Sequence, residues 1–375
     1  MEKVVPRFGT WGNGVILFFG TLAISLVTWW LFADPKLGIV SSYPFPFLFV
    51  SVWLIMVVVW FAFNFELSIF AWLPDRQPLK GIVITGFTAL LIYIMYLILN
   101  VGWGALNPNL LTTSPTGYVL SSFVVLIGFY TWAMVSSTFE AWPFADAGIK
   151  QPFLGLSQWL LGFALMVVCY FMLVYPALIN PEHAILDFFT MTGWWYSCVV
   201  ALLLVTNTWG RWPITLMSEN RAVRAIGTGI LGFIVGTIWY FIALALLKSG
   251  LIPQAIQAEM AKASPTLINY YTAELGIFLI FAVLFLFLFF ENWPTKFGNL
   301  ANIIIRTIIC VATAIIMFLI FMNGFGVAVL HETAPTLVVG NWGGDPFIFM
   351  DWWIGLFLVV GIFFECWPLM KKVEE

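Results

Sequence analysis

Charged side chains are scarce in this sequence: Asp, Glu, Lys and Arg make up only 9% of its 375 residues. Soluble globular proteins carry about 25% charged residues, so the composition excludes a water-soluble protein of this size. Hydrophobic residues account for 62% of the chain. Because tryptophan collects where helices meet lipid headgroups, the 20 tryptophans also favour a membrane protein.

Residues that hold metals and cofactors are equally few. The four cysteines form no CxxC pair, which argues against a zinc site or a disulfide framework. The two histidines, His183 and His331, fall in predicted loops, so bis-histidine haem ligation inside the membrane is excluded. The sequence therefore predicts neither a metal nor a cofactor.

Signatures of catalysis and of nucleic-acid binding are also missing. The chain has no GxSxG, HExxH or P-loop motif, and no GxGxxG before a helix. An enzyme is therefore the less favoured class. A net charge of −3 without a basic arm argues against a nucleic-acid partner.

Long apolar runs dominate what remains. A membrane-spanning helix needs about 20 apolar residues, and this length predicts an all-α polytopic membrane protein, a single domain over 1–375. The ten predicted spans are 12–33, 45–72, 81–103, 117–142, 155–178, 188–212, 227–250, 270–293, 300–324 and 347–367.

The basic residues predict the orientation. With the N-terminus in the cytoplasm, three lysines lie outside, Lys36, Lys248 and Lys262. The other twelve lie inside: Lys3, Arg7, Arg76, Lys80, Lys150, Arg211, Arg221, Arg224, Lys296, Arg306, Lys371 and Lys372. Because short cytoplasmic loops are enriched in Lys and Arg, both termini are expected in the cytoplasm, with the chain in the plasma (inner) membrane.

A motif recurs where the even-numbered spans end. Phe-Glu-x-Trp-Pro occurs three times, at Phe139–Pro143, Phe290–Pro294 and Phe364–Pro368. Span 6 ends in Trp209-Gly210-Arg211-Trp212-Pro213, and span 2 carries a looser copy with Phe65-Glu66 and Trp72-Leu73-Pro74. A Gln-Pro-x-x-Gly element follows twice, at Gln77 and Gln151. A fixed period indicates repeated structural units, here five parallel two-helix hairpins over 12–80, 81–154, 155–226, 227–299 and 300–375.

The Trp-Pro pairs are typical of interfacial anchors. Tryptophan prefers the headgroup level, and proline cannot continue a helix. The predicted anchors are Trp72, Pro74, Trp142, Pro143, Trp212, Pro213, Trp293, Pro294, Trp367 and Pro368.

The acid of the motif needs a compensating partner. Glu66, Glu140, Glu291 and Glu365 each fall in a predicted last helical turn, where the helix dipole disfavours a carboxylate. One interpretation is a ring of ion pairs that joins neighbouring hairpins, with partners nearby in sequence such as Lys150 or Lys371 and Lys372. The other is a carboxylate vestibule that concentrates cations at a pore mouth. Arg306 is expected either to reach the cytoplasm or to pair with Glu291 or Glu365.

The positions of glycines, aromatic residues and three further acids give predictions about helix packing and helix ends. Glycines concentrate in the odd-numbered spans and large aromatics in the even-numbered ones, which predicts odd spans inside and even spans outside. The alternative is that glycine marks only pairwise packing. Asp187, Glu274 and Asp351, near the outer ends of spans 6, 8 and 10, are expected to stabilise helix N-termini.

The layout of five hairpins resembles that of the slow-anion-channel and tellurite-resistance transporter family. In that family five hairpins surround a central pore lined by the odd-numbered helices. The resemblance is one of layout and covers the whole chain. It implies a quasi-fivefold bundle.

Three functions follow from these observations. The leading hypothesis is a transporter or channel for a small solute or ion. The first alternative is a non-catalytic subunit that anchors or scaffolds a larger complex, and the second is a lipid-, quinone- or pigment-binding membrane protein. The expected partners are the lipid bilayer and partner subunits or further copies of the chain. The long loop 326–346 is expected to act as a lid or as a docking site.

The topology predicts opposite labelling of two loops. A single cysteine in the loop after Pro143 should react with a membrane-impermeant maleimide from the cytoplasmic side only. A single cysteine in 326–346 should react from the outside only. The measurement is labelling of intact and of permeabilised cells in a background without the native cysteines. Labelling of both positions from one side would contradict the topology.

Overall fold

The computed structural model describes residues 3–40, 42–111, 114–333 and 337–373. Within these ranges ten helices are long and apolar enough to cross a membrane, as the sequence predicts. In chain order, spans 1 to 10 are Gly9–Phe32, Phe47–Asn64, Leu79–Leu106, Pro115–Thr138, Phe153–Ile179, Phe188–Thr208, Arg221–Leu251, Leu267–Phe289, Asn299–Val329 and Pro346–Phe363. Their length and composition identify an integral membrane protein.

Short helices and strands connect the spans. The helices are Ser68–Phe70, Pro108–Leu110, Pro181–His183, Ile214–Met217 and Gln254–Ala263, and the strands are β1 (Lys3–Pro6), β2 (Val338–Val339), β3 (Trp342–Gly343) and β4 (Met370–Val373). Strand β1 pairs antiparallel with β4, so both ends of the chain lie on one face of the bundle, here called the terminal face. Strands β2 and β3 form a hairpin between spans 9 and 10, on the opposite face.

The even-numbered spans form the interior. Between 67% and 89% of the most apolar window of each even span is buried, against 17% to 33% for the odd spans. Span 2 packs against spans 4 and 10, span 6 against spans 4 and 8, and span 8 also against span 10. These contacts close a cycle of five helices. The expectation that odd spans lie inside and even spans outside is therefore wrong.

The odd spans cover this cycle from outside. Spans 3, 5, 7 and 9 each pack on the preceding even span, and span 1 packs on spans 10 and 8. The terminal-face ends of spans 10, 2, 4 and 6 also contact spans 3, 5, 7 and 9 respectively. Each odd span thus lies over two even spans, and its outer surface is exposed for lipid.

Glycine placement explains the inverted prediction. A Cβ at Gly236 of span 7 would come within 2.5 Å of the Cys198 Cα in span 6, and one at Gly162 of span 5 within 2.4 Å of the Trp132 ring in span 4. Small residues let helix backbones approach closely in a bilayer. The glycines of the odd spans therefore mark the surface that faces the even spans, and the aromatics of the even spans fill the interior.

Spans 4, 6, 8 and 10 end four residues earlier than predicted, and span 2 ends eight residues earlier. Two consecutive residues with positive φ follow each helix: Glu66 and Leu67, Glu140 and Ala141, Gly210 and Arg211, Glu291 and Asn292, and Glu365 and Cys366. After spans 2, 6, 8 and 10 the N–H of the second residue bonds back six residues, as from Cys366 to the Val360 carbonyl at 3.0 Å. These bonds satisfy carbonyl groups that the helix end would otherwise leave free. The repeated acid therefore lies in the turn after the helix and not in its last turn.

Close packing of span 7 on span 6 predicts a sharp cost for Gly236→Ala. The added methyl group meets backbone atoms of Cys198, which cannot rotate away. We expect a loss of about 1–3 kcal/mol in unfolding free energy, typical of overpacking, measured by thermal unfolding in detergent. Gly86→Ala is the control, because nothing lies within 4 Å of its added methyl group. Equal effects of both substitutions would contradict the packing described here.

Candidate functional site

A cavity of about 100 Å³ lies on the axis of the five even spans, towards the opposite face. Every even span contributes to its wall. Examples are Val52 of span 2, Ser122 of span 4, Thr192 of span 6, Tyr270 of span 8 and Asp351 of span 10. This volume has room for several water molecules.

Two carboxylates line this axial cavity. Asp345 and Asp351 are only 3% and 6% exposed. Asp345 caps span 10, because its Oδ1 accepts a hydrogen bond of 3.0 Å from the Phe347 N–H. Asp351 follows six residues later, about 9 Å further along the helix. The polar end of the cavity therefore carries two acids in the same helix.

A third acid lies directly behind Asp345. Glu332 is buried, and its Oε2 accepts a hydrogen bond of 2.6 Å from the Asp345 N–H. Its Oε1 is buried and has no hydrogen-bond partner within the described residues. Burial raises the pKa of Glu332 well above its usual range, and the charge of Asp345 adds to the effect. Burial also raises the pKa of Asp345 to about 7.

The predicted role of three acids as helix caps holds for one of them. Asp187 caps span 6 and accepts hydrogen bonds of 3.1 Å from the N–H groups of Phe189 and Thr190. Glu274 and Asp351 instead lie inside their spans, at 0% and 6% exposure. Their expected assignment to helix N-termini is wrong, because spans 8 and 10 begin several residues earlier than the carboxylates.

The loop after span 9 covers the bundle at the opposite face, where the axial acids lie. The indole N–H groups of Trp29 and Trp30 in span 1 donate to the carbonyls of Leu330 and Val329, both at 3.0 Å. The His331 Nδ1 lies 2.8 Å from the Asp34 Oδ2. The ring of Trp342 stacks on Tyr271 of span 8. Residues 334–336 of the predicted lid or docking loop lie outside the described part of the chain.

A second cavity of about 30 Å³ lies on the same axis, nearer the terminal face. All five even spans line it as well, with Thr138 and Asn207 among its polar groups. Phe129 and Leu284 line both cavities and therefore form the constriction between them. The axis is polar at both ends and apolar in the middle.

The repeated acids lie at the terminal face, away from both cavities, and three of them contact a distant odd span. Glu140 pairs with Arg224 of span 7 at 2.7 Å, and Glu365 with Lys80 of span 3 at 2.9 Å. Glu291 accepts a hydrogen bond of 3.3 Å from the Thr10 hydroxyl of span 1. Glu66 is exposed, and no ion pair or hydrogen bond of its side chain is found among the described residues.

The other predicted site residues have the following positions. Arg306 donates two hydrogen bonds, of 3.0 and 2.7 Å, to the Pro294 carbonyl. The predicted anchors Trp72, Trp293 and Trp367 are exposed at the terminal face, whereas Trp142 and Trp212 are half-buried there. The side chains of Lys371 and Lys372 lie outside the described part of the chain.

The axial acids Glu332, Asp345 and Asp351 were not recognised as a site from the sequence. Asp345-Pro346 reads as a turn, and Glu332 falls in a long loop. The available signal was the presence of three acids within twenty residues of a chain with so few charges.

Comparison with known proteins adds no relative: no family model, no curated protein and no solved structure matches the chain. The resemblance in layout to the slow-anion-channel and tellurite-resistance transporters implied a pore lined by odd-numbered helices. That implication is wrong here, because the even spans line both axial cavities.

The raised pKa of Asp345 predicts a pH-dependent stability. The folded state holds a proton that the unfolded chain releases above about pH 4, so stability falls as pH rises from about 4 to about 7 and levels off above. Glu332 acts in the same direction. For Asp345 we expect a loss of roughly 4 kcal/mol over this window, measured as the change in unfolding temperature.

The matched variant is Asp345→Asn, because asparagine also caps helices but carries no charge. Its unfolding temperature should depend on pH less than that of the native chain. An unchanged pH dependence would show that Asp345 does not titrate in this range.

Proposed function

We propose that the chain is a membrane transport protein that moves a small cation or a proton along the axis of the five even spans. The main observation that supports this proposal is the axial cavity. All five even spans line it, and Asp345 and Asp351 are buried in its wall. Ionisable groups at membrane depth are costly and usually mark an ion or proton pathway. Two carboxylates favour a positively charged substrate.

The arrangement of polar and apolar groups supports a gated path. Water and ions enter cavities with polar walls, while an apolar constriction closes a path by excluding water. Phe129 of span 4 and Leu284 of span 8 occupy the constriction. Rotation of one aromatic side chain would connect the two cavities.

We also propose that the bundle consists of five related two-span units with quasi-fivefold symmetry. Two identical contacts support this. The Gln77 amide before span 3 donates to the Phe363 carbonyl at the end of span 10, and the Gln151 amide before span 5 donates to the Asn64 carbonyl at the end of span 2, both at 2.9 Å. The pairs Lys80–Glu365 and Arg224–Glu140 relate the same elements.

The proposed orientation places the terminal face in the cytoplasm of a plasma (inner) membrane. The basic residues named above support it, since twelve of fifteen belong to the predicted cytoplasmic side. The axial acids would then lie nearer the outer face, and the loop with Trp342 would act as an outer lid.

Removal of the ionisable carboxyl group of Asp351 should slow transport. In proteoliposomes with a proton-sensitive dye and imposed Na⁺, K⁺ or proton gradients, Asp351→Asn should reduce flux at least about tenfold, the effect of losing about 1.4 kcal/mol of cation stabilisation. Phe129→Ala should increase flux because it widens the constriction. Asp187→Asn is the control, since this cap lies outside the cavity.

A scaffold subunit would give a different result. The native protein and all three variants would then show the leak of empty liposomes, with unfolding temperatures unchanged. That outcome would reject the transport proposal.

A further inference from the structure

A wide apolar groove opens on the lipid-facing surface between spans 5 and 7. Its volume is about 870 Å³, and spans 4 and 6 form its floor. Tyr130 and Trp195 belong to the floor, while Met172 and Ile230 belong to the two walls. Ile230 is 57% exposed, so the groove is open to the bilayer along its length.

The length of the groove matches one leaflet. Along span 7 its lining runs from Ile226 to Ile238, which at 1.5 Å per residue is about 18 Å. The hydrocarbon of one leaflet is about 15 Å thick. The groove can therefore hold an extended acyl chain that starts at the terminal face.

Three arginines stand at the terminal-face end of the groove. Phe139 and Ile226 line that end. Phe139 directly precedes Glu140, and Ile226 follows Arg224 by two residues. Around the Glu140 carboxylate, Arg224 lies at 2.7 Å, Arg211 at 3.3 Å and Arg221 at 3.8 Å.

The charges of this cluster do not balance. Arg221 also pairs with Asp146, so three guanidinium groups face two carboxylates and one positive charge remains. The Nε atoms of Arg211 and Arg224 are buried without a hydrogen-bond partner within the described residues, and the buried Nε of Arg221 lies 3.8 Å from the Glu140 Oε2, too far for a hydrogen bond. Buried donors normally have acceptors, and a phosphate group offers several to neighbouring guanidinium groups.

A second lipid-facing groove serves as a comparison for the charge at the terminal-face end. It measures about 470 Å³ and is lined by spans 2, 3, 4 and 10, with Thr85 and Val359 towards the terminal face. At the terminal-face end of this groove, the basic residue closest in sequence to Thr85 is Lys80, which pairs with both Glu365 and Asp75. That cluster has no excess positive charge, so of these two grooves it is the one between spans 5 and 7 that combines an apolar channel with surplus cationic donors.

We infer that this groove is a binding site for one anionic phospholipid. The phosphate binds the cluster of Arg211, Arg221 and Arg224, and an acyl chain lies in the groove along span 7. The site is separate from the axial path and does not rest on the proposed transport function.

The test is lipid binding by the full-length protein in detergent. Phosphatidylglycerol and phosphatidylcholine with the same acyl chains are titrated separately, and bound lipid is counted by native mass spectrometry. We expect one phosphatidylglycerol to bind at least about tenfold more tightly than phosphatidylcholine. Arg221→Gln combined with Arg224→Gln should abolish this preference, while Lys80→Gln should keep it.

A second variant tests the groove without touching the arginines. A Cβ at Gly229 would lie 3.4 Å from the Phe139 ring, so Gly229→Leu places its side chain in the groove with little disturbance of the backbone. It should weaken phosphatidylglycerol binding about tenfold, whereas Gly86→Leu on span 3 should not. Thermal unfolding without added lipid identifies any variant that has lost its fold, and the Gly229 variant then decides alone.

Three outcomes would overturn the inference. They are equal binding of the two lipids, unchanged phosphatidylglycerol binding by both the arginine and the Gly229 variants, or full competition by inorganic phosphate at the lipid's own concentration. The last would show an anion site without a lipid chain.

Discussion

The architecture depends on how the carbonyl groups at the ends of the even spans are satisfied. A bilayer offers no hydrogen-bond donors, and the apolar surfaces of helices gain little from leaving lipid for each other. In this protein each even span is followed by a pair of left-handed residues, and after spans 2, 6, 8 and 10 the N–H of the second residue donates to a carbonyl of the helix. The side-chain amides of Gln77 and Gln151, which precede spans 3 and 5, donate hydrogen bonds to other carbonyl groups at the ends of even spans. These polar contacts fix which helices are neighbours, and close packing follows.

This constraint also accounts for the inverted layering. The start of an odd span contacts the end of a particular even span. The odd span therefore runs across the outside of the ring. Its glycines allow that approach, as Gly155 does beside the Asn64 carbonyl. The even spans are then covered except along the two open grooves, and most of their tryptophans are buried in the interior.

The sequence predicted local structure well, but it did not predict which helices lie next to each other. Hydropathy located all ten spans, because span length depends on the bilayer alone, and the repeated motif located the helix ends. The sequence did not identify the individual partners of the repeated acids. Bases close in sequence were expected, whereas Glu140 pairs with Arg224, 84 residues away, and Glu365 with Lys80, 285 residues away. Glycine content shows that a helix packs closely but does not show on which side its partner lies.

The acids of the repeated motif and the acids near the axis occupy different parts of the molecule. The acids of the repeated motif lie at the terminal face, and Glu140, Glu291 and Glu365 contact another span there. They therefore serve the assembly of the ring and leave its axis free. The acids on and beside the axis, Glu332, Asp345 and Asp351, belong to span 10 and the loop before it. Because their burial is costly and they lie outside the repeated motif, the assembly contacts of that motif give no reason for them. A cation or a proton on the axis supplies that reason, since it would neutralise the carboxylates that the fold holds out of water.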